Sequence, residues 1–420
     1  MPRPKLIKTE DDDVVSDLLG TVNRHATSSQ GYLQGDHAQH TWGVPIPAMA
    51  FQYLIGGSNV LPMQRFIGIS GEAKSFKSTL QVEIGNWFIK DGGVHLYLDT
   101  EGKTSPTMLE AMSRAAGTGA RRIYKQAANI QEWQTILTKM IEKARDAYRR
   151  PVGKRVPIFI AIDSLTGTST EDADRNLRKE GAAAERGYPV EAAAITNFLK
   201  AFNMLGTTAS VAWIQHMKQA LDQTGAGYGG PLMKETGAKA AQFSCSAHIR
   251  VNKGGTVRKG SHPGAPLPDY PVEGHTLFLK TELSCVGPDK RVLPVDLLWQ
   301  YVPDQDGNRV QHMWYDWDGA LGNMLYSMKY SDKWKPALYE AEKTELNDLL
   351  GISEGSKASV VSCKRLDLKD VSFTEFGKAI RDNEEVAAQV SRFLRINRYP
   401  AVQEADIDFE AGDLRDKLKR

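Results

Sequence analysis

Residues 66–79 read FIGISGEAKSFKST: a short apolar strand runs into Gly71, then a polar loop, then Lys77-Ser78-Thr79 at the head of an amphipathic helix. That order is the order of a phosphate-binding loop. Backbone N–H groups of such a loop and of the helix N-terminus face an anion, Lys77 reaches the outer phosphates, and the Ser78 hydroxyl joins Mg²⁺ coordination. The candidate cradle is Gly71, Lys74, Ser75, Phe76, Lys77, Ser78 and Thr79. The usual spacing, G-x-x-x-x-G-K-[ST], has a second Gly where this chain has Phe76, so the stretch also reads as an ordinary Gly-containing strand-to-helix turn.

Outward from that loop, residues 45 to 303 alternate strand and helix patterns, which predicts an α/β fold with a mostly parallel central sheet covered on both faces. Strands are expected at 65–70, 94–99, 157–163, 210–215, 247–251, 275–283 and 292–301, with helices between the first four. The helix from Ser78 to Lys90 carries Leu80, Ile84, Trp87 and Phe88 on one face and stops at Asp91-Gly92-Gly93. The last strands follow one another through turn-rich links and are expected to extend the sheet antiparallel. Two polar stretches, 167–191 and 216–239, are longer than connections in a compact domain need to be. A third, 253–274, rich in Gly, Pro and basic residues, reads equally as a solvated hairpin excursion or a nucleic-acid contact.

Residues 1–35 read as an arm in which Asp11-Asp12-Asp13 precede Val14, Val15, Leu18, Leu19 and Val22, spaced for one apolar helical face. So short a helix is marginal alone and must dock. The core is expected over 36–303, and 304–420 reads as a small α+β domain with a short strand near 358–363. The 420 residues carry 53 basic and 51 acidic side chains, a net charge of +2, so any nucleic-acid surface must be local. No apolar run approaches the roughly 20 residues that span a bilayer, and no apolar leader opens the chain, so a cytoplasmic protein without a membrane partner is expected. Cys245, Cys285 and Cys363 lack metal-ligand spacing and read as thiols in a reducing compartment.

Ligands of open α/β sheets bind beyond the carboxyl ends of the strands, and here those ends are polar. HLYLDTEG delivers Asp99 and Glu101, FIAIDS delivers Asp163, and AWIQH delivers Gln215 and His216. A carboxylate beside a phosphate loop suits a hydrated Mg²⁺, the role expected of Asp163. Glu101 is placed to orient and deprotonate a water attacking the γ-phosphate, and Gln215 to hydrogen-bond that phosphate and report it to the following loop. Each alone reads as readily as a strand-end cap; together they point to ATP hydrolysis.

These residues resemble the RecA family of homologous-recombination ATPases, and SGEAKSFKS is similar to the loop of its phage UvsX branch. The resemblance runs from about Phe51 to Tyr301. It implies a RecA-like P-loop ATPase core using ATP and Mg²⁺, with Glu101 as the catalytic glutamate, Asp163 on the magnesium strand, Gln215 as the glutamine linking ATP to the second DNA-binding loop, and Met108 near the adenine ring. It further implies that the two long loops bind single-stranded DNA along a helical filament. Arg178, Arg186 and Tyr188 of the first loop are then DNA-binding candidates, as are Lys218, Lys234, Gly237 and Lys239 of the second, through phosphate contacts, stacking and backbone amides. Each basic residue reads equally as a solvated charge. Phe243 falls where a phenylalanine relays contact between protomers. Gln242 stands where bacterial relatives carry a basic residue reaching the neighbour's γ-phosphate, and Lys280 is followed by Thr281 and Glu282 in place of a lysine pair. Lys280, Lys290 and Arg291 are the remaining candidates for that cation.

The expectation is therefore a DNA-dependent ATPase that assembles head to tail on single-stranded DNA and tests a homologous duplex by strand exchange in recombination and repair. Single-strand-binding and mediator proteins are the expected partners, and phage origin would place it in the bacterial host cytoplasm. The alternatives are a RecA-fold hexameric helicase or translocase, and an ATP-dependent coat that organises DNA without exchanging strands.

Overall fold

The computed structural model describes residues 43–63, 65–118, 121–126, 129–133, 135–136, 138–139, 157–165, 193–200, 209–219, 233–235, 241, 244–284, 290–331, 338–357 and 359–396. The chain divides into two compact units, Met1–Gly43 and Val44–Arg420. The expected arm at 1–35 lies outside the described residues.

β1 (Gly43–Pro45) begins at the last residue of the first unit; in the second, α1 (Met49–Leu54) and β2 (Val60–Pro62) lead to β3 (Phe66–Gly71), α2 (Lys77–Lys90), β4 (Val94–Asp99), α3 (Pro106–Ala116), β5 (Arg122–Gln126) and β6 (Ile158–Asp163). Then follow β7 (Ala209–Gln219), β8 (Met233–Glu235), β9 (Ala247–Lys259), β10 (Val272–Ser284), β11 (Val292–Pro303) and β12 (Arg309–Tyr315). These strands from β3 onward make a 10-stranded sheet in the order β12-β11-β10-β9-β3-β7-β6-β4-β5, with β8 paired to β7. β9, β3, β7, β6, β4 and β5 pair parallel, and β9 to β12 are joined by antiparallel pairings. The protein is thus an α/β fold with a large, mostly parallel central sheet.

Apart from the edge strand β5, the parallel strands are apolar on both faces because both faces are covered. Along β6, Ile158, Ile160 and Ile162 join Leu96, Leu98, Val211, Trp213, Trp133 and Phe198 in one buried cluster. Phe159 points the other way, its ring 4.9 Å from that of Phe88 on α2. α2 ends where expected, at Asp91, with Gly92 at φ 84°.

Several elements depart from expectation. β7 continues past Gln215 to Gln219 and pairs antiparallel with β8, so the second long loop starts on an ordered ribbon. β9 runs to Lys259 and β10 begins at Val272, so much of the 253–274 insertion is paired strand. Its tip is docked: Gln300 accepts from Leu267 N at 3.1 Å and donates to the carbonyls of Leu267 and Tyr270. β5, RIYKQ, is an exposed edge strand with no apolar alternation to announce it. The expected boundary at 303/304 falls in the turn between β11 and β12, so the sheet gains one more strand beyond it.

After β12 come α4 (Trp317–Tyr330), α5 (Glu340–Leu350), β13 (Ile352–Glu354), β14 (Val360–Cys363), β15 (Leu368–Ser372), α6 (Phe373–Asp382) and α7 (Glu384–Ile396). β13, β14 and β15 form a separate antiparallel sheet, and β14 is the strand expected near 358–363. Asp316 caps α4 by accepting from Gly319 N at 2.9 Å, and Ser372 with Glu375 forms a capping box on α6. Among the described residues, no helix is long and apolar enough to cross a membrane.

Candidate active site

The carboxyl end of β3 turns at Gly71, φ 153°, where a Cβ would lie 2.3 Å from the carbonyl oxygen of Val251. A side chain cannot fit there, so the first Gly of the motif is a packing requirement. Five residues on, Phe76 takes the left-handed conformation (φ 65°, ψ 31°) at the N-cap of α2. That is the conformation for which the usual Gly is chosen, and Phe accepts it against a steric penalty of about 1–2 kcal/mol. Its ring offsets part of this by packing 5.3 Å from His275 and 6.5 Å from Trp299, with Lys253 Nζ 5.5 Å from its centroid.

Lys77 is buried, and its Nζ donates to the Glu72 carbonyl at 2.5 Å, the ammonium folded back over its own loop. Burial lowers its pKa, opposed by the charges of Asp163, Glu101 and Glu72. Ser78 donates to Asp163 Oδ2 at 2.5 Å, and Tyr97 OH donates to the same oxygen at 2.6 Å. Burial raises the Asp163 pKa, and these two hydrogen bonds oppose the rise. Thr79 Oγ1 donates to the Phe76 carbonyl at 2.6 Å and lies 2.8 Å from Tyr315 OH, which ties the first turn of α2 to β12.

The parallel register sets Asp99 beside Asp163 at the ends of β4 and β6. Asp99 is buried and shapes the next turn: Oδ1 accepts from the N–H groups of Glu101 and Gly102, and Oδ2 from Thr104 N and Tyr124 OH. The turn presents Glu101, whose Oε1 accepts from Ser164 Oγ at 2.6 Å and lies 2.9 Å from His216 Nε2, while Oε2 accepts from Lys103 Nζ at 2.8 Å. Burial pushes the Glu101 pKa up, but the hydrogen bonds from Lys103 and Ser164 and the charges of His216 and Lys103 prevail and hold it at about 2.

A Mg²⁺ ion fits this donor set. Ser78 gives its proton to Asp163, so the hydroxyl lone pairs are free for a hard cation, and Asp163 supplies carboxylate oxygen. Among the described residues no group of three or more His, Cys, Asp or Glu could hold a metal. Mg²⁺ beside phosphates needs no such cage, since it keeps several waters and takes one or two protein ligands.

The structure thus brings Gly71, Lys77, Ser78, Thr79, Glu101 and Asp163 to one edge of the sheet. Lys74, φ 60°, and the buried Ser75 lie in the same loop, and Met108 is half-buried in the first turn of α3. Gln215 is buried, in register with Ser70. The residue at this strand end in contact with Glu101 is the next one, His216. Lys218 and Lys234 are register partners across the β7–β8 ribbon. Arg178, Arg186, Tyr188, Gly237, Lys239, Gln242 and Phe243 lie outside the described residues.

Lys280 Nζ bonds both carboxylate oxygens of Glu282, at 3.0 and 3.1 Å. Lys290 takes φ 63° and donates its N–H to the Thr281 carbonyl. Arg291, the third candidate, is buried and bonds the Tyr53 carbonyl at 2.6 Å, its guanidinium over the Tyr53 ring. Sequence reasoning missed Tyr97, Lys103 and Ser164. The last two adjoin named carboxylates in the chain, and Tyr97 shares a face with Asp99, two residues on, by the alternation of a strand.

No protein-family model matches this chain, and no curated protein matches it.

Proposed function

We propose that this chain is a Mg²⁺-dependent nucleoside-triphosphate hydrolase built on a RecA-like P-loop core. Within that class we read it as an ATP-dependent DNA strand-exchange recombinase of the phage UvsX-like kind, which forms helical filaments on single-stranded DNA. The observation that carries the reading is the convergence of Glu101 and Asp163, from the ends of β4 and β6, on Lys77 and Ser78 at the start of α2.

Loop amides and Lys77 bind the phosphates, which requires Lys77 to leave the Glu72 carbonyl for the ligand. Ser78 and Asp163 would hold Mg²⁺, which screens phosphate charge when bound. A carboxylate held at about 2 is a weak proton acceptor, so Glu101 acts mainly by orienting the attacking water and takes its proton as the bond to phosphorus forms. His216 begins the path from Glu101 along the β7–β8 ribbon to the second long loop, which suits coupling between turnover and DNA.

ATP hydrolysis measured with and without single-stranded DNA, beside electron micrographs of the complexes, tests the proposal. DNA-stimulated hydrolysis that Lys77→Ala abolishes, on helical filaments, is expected. Closed rings would point to a helicase or translocase, and absent hydrolysis would remove the reading altogether.

A further inference from the structure

Tyr97 lies on β4 in register with Ala161 of β6, which makes Asp163 its diagonal neighbour on the same face. Across a strand pair, diagonal neighbours are about 7–8 Å apart, a gap that a long aromatic side chain bridges. Ala161 leaves the room, and the fully buried Tyr97 ring crosses it to set its hydroxyl 2.6 Å from Asp163 Oδ2. The hydroxyl also lies 3.3 Å from Thr104 Oγ1, in the segment that carries Glu101. The Tyr124 ring, on β5, stacks 6.3 Å away at an interplanar angle of 17°.

Asp163 Oδ2 therefore receives two hydroxyl protons, from Ser78 and from Tyr97, which saturates its acceptor directions. Oδ1 accepts from no side chain among the described residues. The two oxygens of a carboxylate are equivalent, so what the pair of bonds fixes is the plane of the Asp163 carboxylate and the direction in which its other oxygen points.

Resting on the phosphate-site reading above, we propose that Tyr97 is a positioning residue for the metal: by holding Oδ2, it orients Oδ1 as a ligand for a divalent cation bound at Ser78. Without the Tyr97 hydroxyl, Ser78 alone restrains the carboxylate, and the cation meets a ligand whose orientation must be fixed on binding. Partners of this kind, one bond removed from a metal, are typically worth about 10–100-fold in metal affinity.

The test is calorimetric binding of ADP, with excess Mg²⁺ and with EDTA, to the wild type, Tyr97→Phe and Tyr124→Phe. Tyr124 is the control, since it shares the ring stack but gives its hydroxyl to Asp99. In EDTA all three proteins are expected to bind ADP alike, within about twofold, which also reports an intact fold. With Mg²⁺, Tyr97→Phe should lose about tenfold of the affinity gain that the metal confers, and Tyr124→Phe should keep it. Half-saturating Mg²⁺ for ATP hydrolysis should rise in parallel. A wild-type gain in Tyr97→Phe overturns the role of Tyr97 alone, as does an equal loss in both variants. A wild type whose ADP binding ignores Mg²⁺ overturns the site reading and the role of Tyr97 with it. A Tyr97→Phe protein that fails to bind ADP even in EDTA overturns the role of Tyr97 at the metal, because its hydroxyl then supports the whole site.

Discussion

Phe76 stands in the left-handed region immediately before Lys77, and its ring packs 5.3 Å from His275 on β10. The loop is therefore anchored to the antiparallel half of the sheet by the residue whose backbone is strained. Strain and packing separate by substitution. Phe76→Ala keeps the strain and loses the ring, whereas Phe76→Gly loses both. The Gly variant is expected to be more stable than the Ala variant by about 1 kcal/mol in urea unfolding. An Ala variant equal to or better than Gly would contradict the steric argument.

Glu101→Gln keeps the size of the side chain and removes its charge. It should leave Mg²⁺-nucleotide binding within about threefold and lower turnover by at least about 10²-fold, within the usual range for a positioned acid or base. In the wild type, a folded pKa of about 2 keeps Glu101 ionised throughout pH 5–8, so it contributes no acid limb to the rate there. Its pKa is depressed below the unfolded value. Its contribution to stability is therefore present above the ordinary carboxylate range and is lost as pH falls toward 2. Turnover rates of both proteins from pH 5 to 8, with nucleotide titrations, check this.

Tyr315→Phe tests the tie between β12 and the first turn of α2. It deletes the buried partner of Thr79 Oγ1 and leaves the Thr79 bond to the Phe76 carbonyl. The expected loss is about 1 kcal/mol in urea unfolding, and a loss below about 0.3 kcal/mol would show that the tie contributes little.

How far the sequence could foresee this arrangement depends on range. β3, β4 and β6 were legible because strands buried on both faces are written as unbroken apolar runs. The ends of those runs marked Glu101 and Asp163 for the same reason. β5 was not legible, since an exposed edge strand pairs through its backbone and its side chains carry no pattern. The Thr79–Tyr315 contact joins residues 236 apart, and the Tyr97–Asp163 contact depends on which strands are neighbours. Neither topology nor register is written locally. The conformation of Phe76 was hidden because its Phe breaks the Gly rule while keeping the backbone that the rule describes.

Asp316 shows how the 253–274 insertion is held. Its buried carboxylate caps α4 and meets His262 Nε2 at 3.0 Å and Thr374 Oγ1 at 2.8 Å. Burial would raise its pKa, but the His262 contact and the bonds from Gly319 and Thr374 lower it. With a depressed folded pKa, this stabilisation is present above the ordinary carboxylate range and fades as pH falls through the folded value. Asp316→Ala should cost about 3 kcal/mol at pH 7 and less at pH 3, and should speed proteolysis at the 260–271 tip. Chemical unfolding at both pH values, with limited proteolysis, reads this out.

The proposed strand exchange is read out by joint-molecule formation between a labelled single strand and a supercoiled duplex in ATP and Mg²⁺. Product with the homologous duplex alone, lost in Lys77→Ala, is the predicted result. Single-strand-stimulated ATP hydrolysis with no joint molecules from either duplex would contradict the claim and leave a DNA-dependent motor or coat.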